Sequence, residues 1–371
     1  VLEGNCACFG GLIGYSSGNG VIADCSVENL KVTENEASAK GSCYGGLIGE
    51  NASSLQNSTV KNIRATISGL YQANITLNAE KQENLTSCFG GLVGKNQTDG
   101  SIGACTLDTS GGYSKNQIIV TNGLVGGIAG LNKGAIMTSG YESSEKDSAV
   151  AVAADVQTAI SKYEQDYKKK SDADQEHVDL QTEKERVGYE ALLKNKIVKQ
   201  MIRMRSTTGI AGLSSNDNTN TGKVKELLAE YQNQENGQSP NLFIQLSGNG
   251  SIGGITAYNT QSGALEYCMT GNWLIHNSSS AQYSAQGGVI GTNESDQDMG
   301  FLINQATVLR ESSKGVTERV NGGIIGFQHN TTSDQWKLYG CINTGRVLNV
   351  NSHYSGGIIG RWSDQGGSIE Y

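Results

Sequence analysis

The chain has 371 residues, 50 of them Gly and one Pro, with 6% aromatic residues and a formal net charge of −8. An acidic balance gives no general basic surface for nucleic acid. No apolar run approaches the 18 residues of a membrane-spanning helix, and there is no Gly-X-Y period of the collagen kind.

A five-residue phrase recurs along the chain. It reads GGLIG at 10–14 and 45–49, GGLVG at 90–94, GGIAG at 126–130, GGVIG at 287–291, and GGIIG at 322–326 and 356–360. Looser copies are TGIAG at 208–212 and GGITA at 253–257. Most starts are 34 to 36 residues apart, which marks a repeat array. A Gly pair suits a tight corner where another backbone comes close, and the apolar pair after it is too short for a helix. A Gly pair in every turn of a helical repeat would cost roughly 1 kcal/mol per residue against Ala. Each phrase is followed by a polar turn and a short β-prone run, as in Gly20–Val27, Gly100–Leu107 and Gly263–Thr270. The pattern predicts an all-β chain, a parallel β-solenoid (β-helix) of about nine rungs, each burying its face against its neighbours. Leu12, Leu47, Leu92, Ile128, Val289, Ile324 and Ile358 are expected in one column.

Residues 1–140 form the first solenoid part, with an added β-prone run from Val60 to Leu77. Composition then changes. Residues 141–205 hold 13 acidic and 12 basic side chains and a single glycine, Gly188. Val152, Val156, Ile160, Tyr163 and Tyr167 fall at steps of 4, 4, 3 and 4, a helical stripe. A second stripe follows through Val178, Val187, Leu192, Ile197 and Met201. The stretch 141–207 therefore reads as an inserted helical hairpin turning near 170–174 and reaching sideways. Lys168, Lys169 and Lys170 at its tip are a candidate contact for an anionic partner, or a solvated end. TGIAG at 208–212 opens the second solenoid part, 208–371, with a short helix expected at 223–231.

Eight cysteines occupy positions 6, 8, 25, 43, 88, 105, 268 and 341. Cys8, Cys43 and Cys88 share one repeat position, and Cys25, Cys105, Cys268 and Cys341 another. They read as small buried hydrophobes repeated by register, on columns that skip rungs, rather than as a disulfide framework. No CxxC or grouped His supplies a zinc site, and the acidic turn Glu294–Asp298 lacks the EF-hand pattern. Nine Asn-X-Ser/Thr tripeptides, at Asn51, Asn57, Asn74, Asn84, Asn96, Asn249, Asn277, Asn293 and Asn330, read as turn chemistry.

The phrase, its turn and the strand ending near Cys resemble the GLUG repeat, over roughly 1–140 and 208–371. That repeat occurs in large bacterial surface proteins, including adhesins and the non-catalytic parts of IgA-specific metallopeptidases. The resemblance implies an extracellular or bacterial cell-surface protein and transfers no catalytic residue; 141–207 falls outside it. The chain starts and stops inside a repeat, so a piece of a longer protein is expected.

No HExxH, GxSxG or Walker A sequence is present. The leading expectation is a non-enzymatic structural or adhesive rod segment without cofactor or metal. Its partners would be other copies of itself or adjacent repeats of a longer chain, with no nucleic acid and no direct membrane insertion. The alternative is a module binding a host glycan or protein, with Tyr15, Trp336 and Trp362 as candidate stacking residues and Trp273 packed inside. A glycan-active enzyme is the third reading, lacking a visible carboxylate cluster.

Overall fold

The structure, a computed structural model, describes residues 2–3, 7–34, 41–68, 87–144, 147–170, 179–200, 240–260, 262–279, 284–311, 319–329, 336–350, 354–363 and 366–370. It is mostly β, with parallel sheets of 11, 14, 8 and 2 strands. Among the described residues the one antiparallel strand pair is 140–144 with 147–148.

The Gly phrase organises the pairing. The 8-stranded sheet is built from the residues leading into each phrase, in the order 8–10, 43–45, 88–90, 123–126, 250–253, 284–287, 319–322 and 354–356. The strands leaving each phrase pair in the same order within the 14-stranded sheet. These eight phrase copies define eight units, numbered here from the N-terminus.

The second glycine of the phrase is needed because backbones meet there. A Cβ on Gly46, Gly91, Gly127, Gly254, Gly288 or Gly323 would overlap the carbonyl oxygen of the equivalent glycine in the next unit. The following apolar residue is held by a ladder of peptide bonds. Leu47 N–H donates to Leu92 O (2.8 Å), Leu92 to Ile128 (3.1 Å), Ile128 to Ile255 (3.0 Å), Ile255 to Val289 (2.9 Å), Val289 to Ile324 (3.0 Å) and Ile324 to Ile358 (2.9 Å). The expected apolar column is therefore present, with Ile255 as a further member. Its interior members are buried, while Leu12 in the first unit is 49% exposed.

Among the described residues eight units stack. The copy at 208–212 lies outside the described residues, as does the helix expected at 223–231. The strands at 123–126 and 129–132 pair directly with 250–253 and 256–259, which makes the fourth and fifth units neighbours.

The charged stretch forms helices α1 (Ala149–Tyr167) and α2 (Leu180–Lys194). Ser148 caps α1 by accepting from Ala151 N–H at 3.3 Å, and Asp179 caps α2. They run antiparallel: Lys184 at the start of α2 meets Glu164 near the end of α1 at 2.6 Å, and Asn195 donates to Asp155 at 2.8 Å. The expected sideways projection is not what forms. A Cβ on Gly188 would come within 2.5 Å of the Phe301 ring, so α2 packs its one glycine onto the β body. Buried Glu185 accepts from Lys337 Nζ at 3.2 Å.

Phe301 reaches α2 from a special corner. Asp24, Asn57, Ala104, Thr138, Tyr267, Phe301 and Gly340 occupy equivalent positions with φ between 47° and 59°. Left-handed backbone is uncommon for aromatic residues. Here Tyr267 stacks on Phe301 (4.9 Å, 16°) and Tyr339 meets Phe301 edge-on (5.2 Å, 88°).

Candidate functional site

The stack carries two built features: a buried polar spine and an aromatic, cationic end. The spine uses the residue six positions after each phrase start. Ser16 Oγ donates to Asn51 Oδ1 (2.9 Å). Nδ2 of Asn51, Asn96, Asn132 and Asn259 each donates to Oδ1 of the next asparagine (2.9, 2.9, 2.8 and 2.7 Å), and Asn293 Nδ2 reaches Gln328 Oε1 (2.8 Å). All five asparagines and Gln328 are buried. A buried amide is stable only when its donors and acceptor are matched, and one amide per unit meets that need by passing the bond along. This corrects the reading of Asn51, Asn96 and Asn293 as turn tripeptides: their side chains face the interior. The constant offset from the phrase was the available signal. Asn74, Asn84 and Asn330 lie outside the described residues.

The candidate stacking residues do not share a face. Tyr15 is 57% exposed in the first unit, whereas Trp362 is 40% exposed in the last. Tyr15 heads a column that passes through Glu50, Lys95, Leu131, Tyr258, Thr292 and Phe327 to Arg361. Trp362 pairs with Gln328 and so stands on the neighbouring amide column, turned to the other side of the strand. Trp336 is 1% exposed and cannot serve as a stacking platform. Its ring lies 5.4 Å from that of Trp362, and a Cβ on Gly367 would overlap it. Trp273 is fully buried, as the sequence suggested.

What gathers at the last unit is a different set. The Arg361 guanidinium sits 5.2 Å from the Phe327 ring centre and 5.1 Å from that of Tyr354. His329 stacks on Phe327 (5.3 Å, 9°) and its Nδ1 lies 3.0 Å from Ser363 Oγ. Tyr354, Trp362 and Ile369 are all exposed in the last unit. Sequence reasoning missed Tyr354 and Arg361 because their proximity depends on register between two sheets. Lys168, Lys169 and Lys170 are exposed after α1, where Lys169 pairs with Asp166 at 2.9 Å and Lys170 lies 5.9 Å from the Tyr167 ring centre.

The seven described cysteines are thiols. Cys25, Cys105, Cys268 and Cys341 alternate with Ser58, Ser139 and Leu302 along their column. Cys25 N–H donates to Ser58 Oγ (3.1 Å) and Cys105 N–H to Ser139 Oγ (3.2 Å). Burial pushes the thiols of Cys105, Cys268 and Cys341 up to about 12. Cys8, Cys43 and Cys88, by contrast, occupy consecutive units, so the expectation that both columns skip rungs fails for this one. Cys6 lies outside the described residues.

Among the described residues no group of three or more His, Cys, Asp or Glu side chains is arranged to hold a metal ion, and no helix is long and apolar enough to cross a membrane. Comparison with curated proteins and with solved structures returns no match. A family model, the GLUG motif, matches residues 5–33, which span the first unit of the stack, and the chain is consistent with a GLUG-repeat protein.

Proposed function

We propose that the chain is a parallel β-solenoid serving as a structural and adhesive rod segment of a bacterial cell-surface or extracellular filament protein. The carrying observation is the amide spine, which crosses from Asn132 to Asn259 without a break although 126 residues separate them in sequence. A stack that closes over so long an excursion is organised along one axis, and its buried amides are committed to neighbouring units.

The partner in this reading is a second copy placed end to end. Gly357 carries a second phrase glycine, yet nothing lies within 4 Å of a Cβ placed there, whereas its counterparts in the second to seventh units each meet the next unit's carbonyl. Leu12, Tyr15 and Val21 are exposed at one end and Tyr354, Trp362 and Ile369 at the other. In continued register Tyr15 of one copy would follow Arg361 of the other, aromatic against cation. Such a contact is heterologous and propagates.

Sedimentation and negative-stain microscopy of the 371-residue chain test this. Concentration-dependent rods are expected, and Gly357→Ala should abolish them while leaving the circular dichroism spectrum and melting temperature unchanged. A chain that stays monomeric at high concentration removes the self-stacking role.

The binding-module reading draws support from exposed Tyr354 against the Arg361 guanidinium, with exposed Trp362 on the other side of the same strand. Glycan-array binding lost in both Trp362→Ala and Tyr354→Ala would favour it over the rod.

A further inference from the structure

Three thiols stand in line on consecutive strands of the 8-stranded sheet, Cys8 opposite Cys43 and Cys43 opposite Cys88. They lie on the face opposite Phe9, Tyr44 and Phe89, which belong to the main core. Adjacent strands run about 4.8 Å apart, inside the Cα separation of about 4.4–6.8 Å that a disulfide spans. Cys8 Sγ lies 3.4 Å from Glu50 Oε2, and Cys43 has a thiol opposite it on each side, Cys8 and Cys88. Their surroundings differ. Cys43 and Cys88 are buried, whereas Cys8, in the first unit, is half-buried.

We propose that Cys8 and Cys43 form a redox-sensitive dithiol, which a low-molecular-weight disulfide such as oxidised glutathione converts into a bond stapling the first unit to the second. The inference stands apart from the rod reading and does not depend on it. Cys8 is the entry point because reagent reaches it and does not reach the other two. The Cys43 thiol, burial and Glu50 hold the Cys8 thiol well above its ordinary range, so exchange runs slowly from a small ionised fraction; that thiolate attacks one sulfur of the reagent, giving a Cys8 mixed disulfide and releasing one reduced thiol. Cys43, opposite it on the neighbouring strand, then attacks the Cys8 sulfur as its own proton leaves. A Cys8–Cys43 bond forms and the second reduced thiol departs. Two electrons pass from the protein pair to the reagent, and the two protein protons end on the two released thiols.

The staple joins the place where it matters most. The first unit exposes Leu12, Tyr15 and Val21, and among the described residues its phrase strand pairs only with the second unit's. A bond between residues 8 and 43 closes a loop the length of one repeat, restricting the frayed state of that unit. Cys43–Cys88 would instead join two units already buried on both sides.

The test is peptide mapping of the whole chain after incubation with oxidised glutathione and alkylation of the remaining thiols. The expected product has lost two hydrogen masses, yields a Cys8–Cys43 linked peptide, and resists proteolysis within 7–34 until reduced. Cys88→Ser should give the same link, and Cys43→Ser should stop at glutathione-bearing Cys8. Wild-type protein that accumulates glutathione on Cys8 without the link, leaves Cys8 unmodified, or links Cys43 to Cys88 instead, overturns the proposal.

Discussion

Asn132 donates its side-chain amide to Asn259 at 2.8 Å, and the two residues are 127 positions apart. Asn132 also accepts from Asn96 at 2.9 Å and donates to Gly134 O at 2.9 Å. It is thus the coupling between the four units before the helical excursion and the four after it. Asn132→Ala removes two donated bonds and one accepted bond together, leaving Asn259 Oδ1, Gly134 O and part of the Asn96 amide without these partners in a dry interior. Each unsatisfied buried group costs about 1–3 kcal/mol, so a loss of about 2–4 kcal/mol is expected. Chemical denaturation measures it. A loss under about 0.5 kcal/mol, the size of an ordinary surface substitution, would mean the spine does not stabilise the stack.

The phrase glycines make a paired prediction. A Cβ at Gly288 would collide with Gly323 O and with the Asn304 side chain, and the backbone partner cannot move without shifting the next unit. Gly288→Ala should therefore prevent folding or lower the melting temperature severely. Gly357→Ala meets open space in a single chain and should melt within a few degrees of wild type. Equal effects at the two positions would show that close approach is not why the phrase keeps its second glycine.

How far the sequence foretold this depends on whether a feature repeats locally. The apolar column through Leu47, Leu92 and Ile128 was legible because it rides directly on the phrase. The amide spine was equally periodic, yet Asn51, Asn96 and Asn293 also head Asn-X-Ser/Thr tripeptides, and a polar residue beside a turn reads naturally as solvated. The alternation of cysteine with Ser58 and Ser139 was hidden because units differ in length before that column. Where packing is between distant segments, nothing local announces it. Gly188 facing Phe301, Glu185 facing Lys337, and the closure of 126 onto 253 past 208–212 arise only once the stack exists.

The tryptophan pair separates burial from exposure. Trp336 and Trp362 touch, yet Trp336 is 1% exposed and Trp362 is 40% exposed. Trp336→Ala should cost about 3–5 kcal/mol through the cavity it leaves. Trp362→Ala should cost less than half of that, since its outer face is already in water. Urea midpoints of the two variants decide the matter, and the opposite order would contradict the packing at the seventh and eighth units.

Glu266 gives a pH dependence of defined sign. It sits beneath α2, where its Oε1 accepts from Tyr339 OH at 3.0 Å. Burial pushes its carboxyl above the ordinary value, outweighing the Tyr339 hydrogen bond and the attraction of Lys184. The Tyr267 and Tyr339 hydroxyls are pushed up as well, by burial first and by the Glu266 charge second. A carboxyl raised in the folded state favours folding at a pH below its unfolded value, and that contribution disappears as pH rises through the folded value. Exposed Asp166 and Asp179 and half-buried Glu164 and Glu183 act in the opposite sense, because their hydrogen-bonding partners, chiefly Lys169, Thr182, Lys184 and Arg186 respectively, lower them. Their support is present above the ordinary carboxylate range and is lost on acidification, in wild type and variant alike. Glu266→Gln keeps an acceptor for Tyr339 and removes only the titration. The variant should therefore be more stable than wild type near neutral pH, and the gap should close as pH falls below about 4, where both side chains are neutral. Denaturation midpoints across that interval provide the measurement; a gap that is constant or widens toward acid would mean Glu266 is not held above its ordinary range.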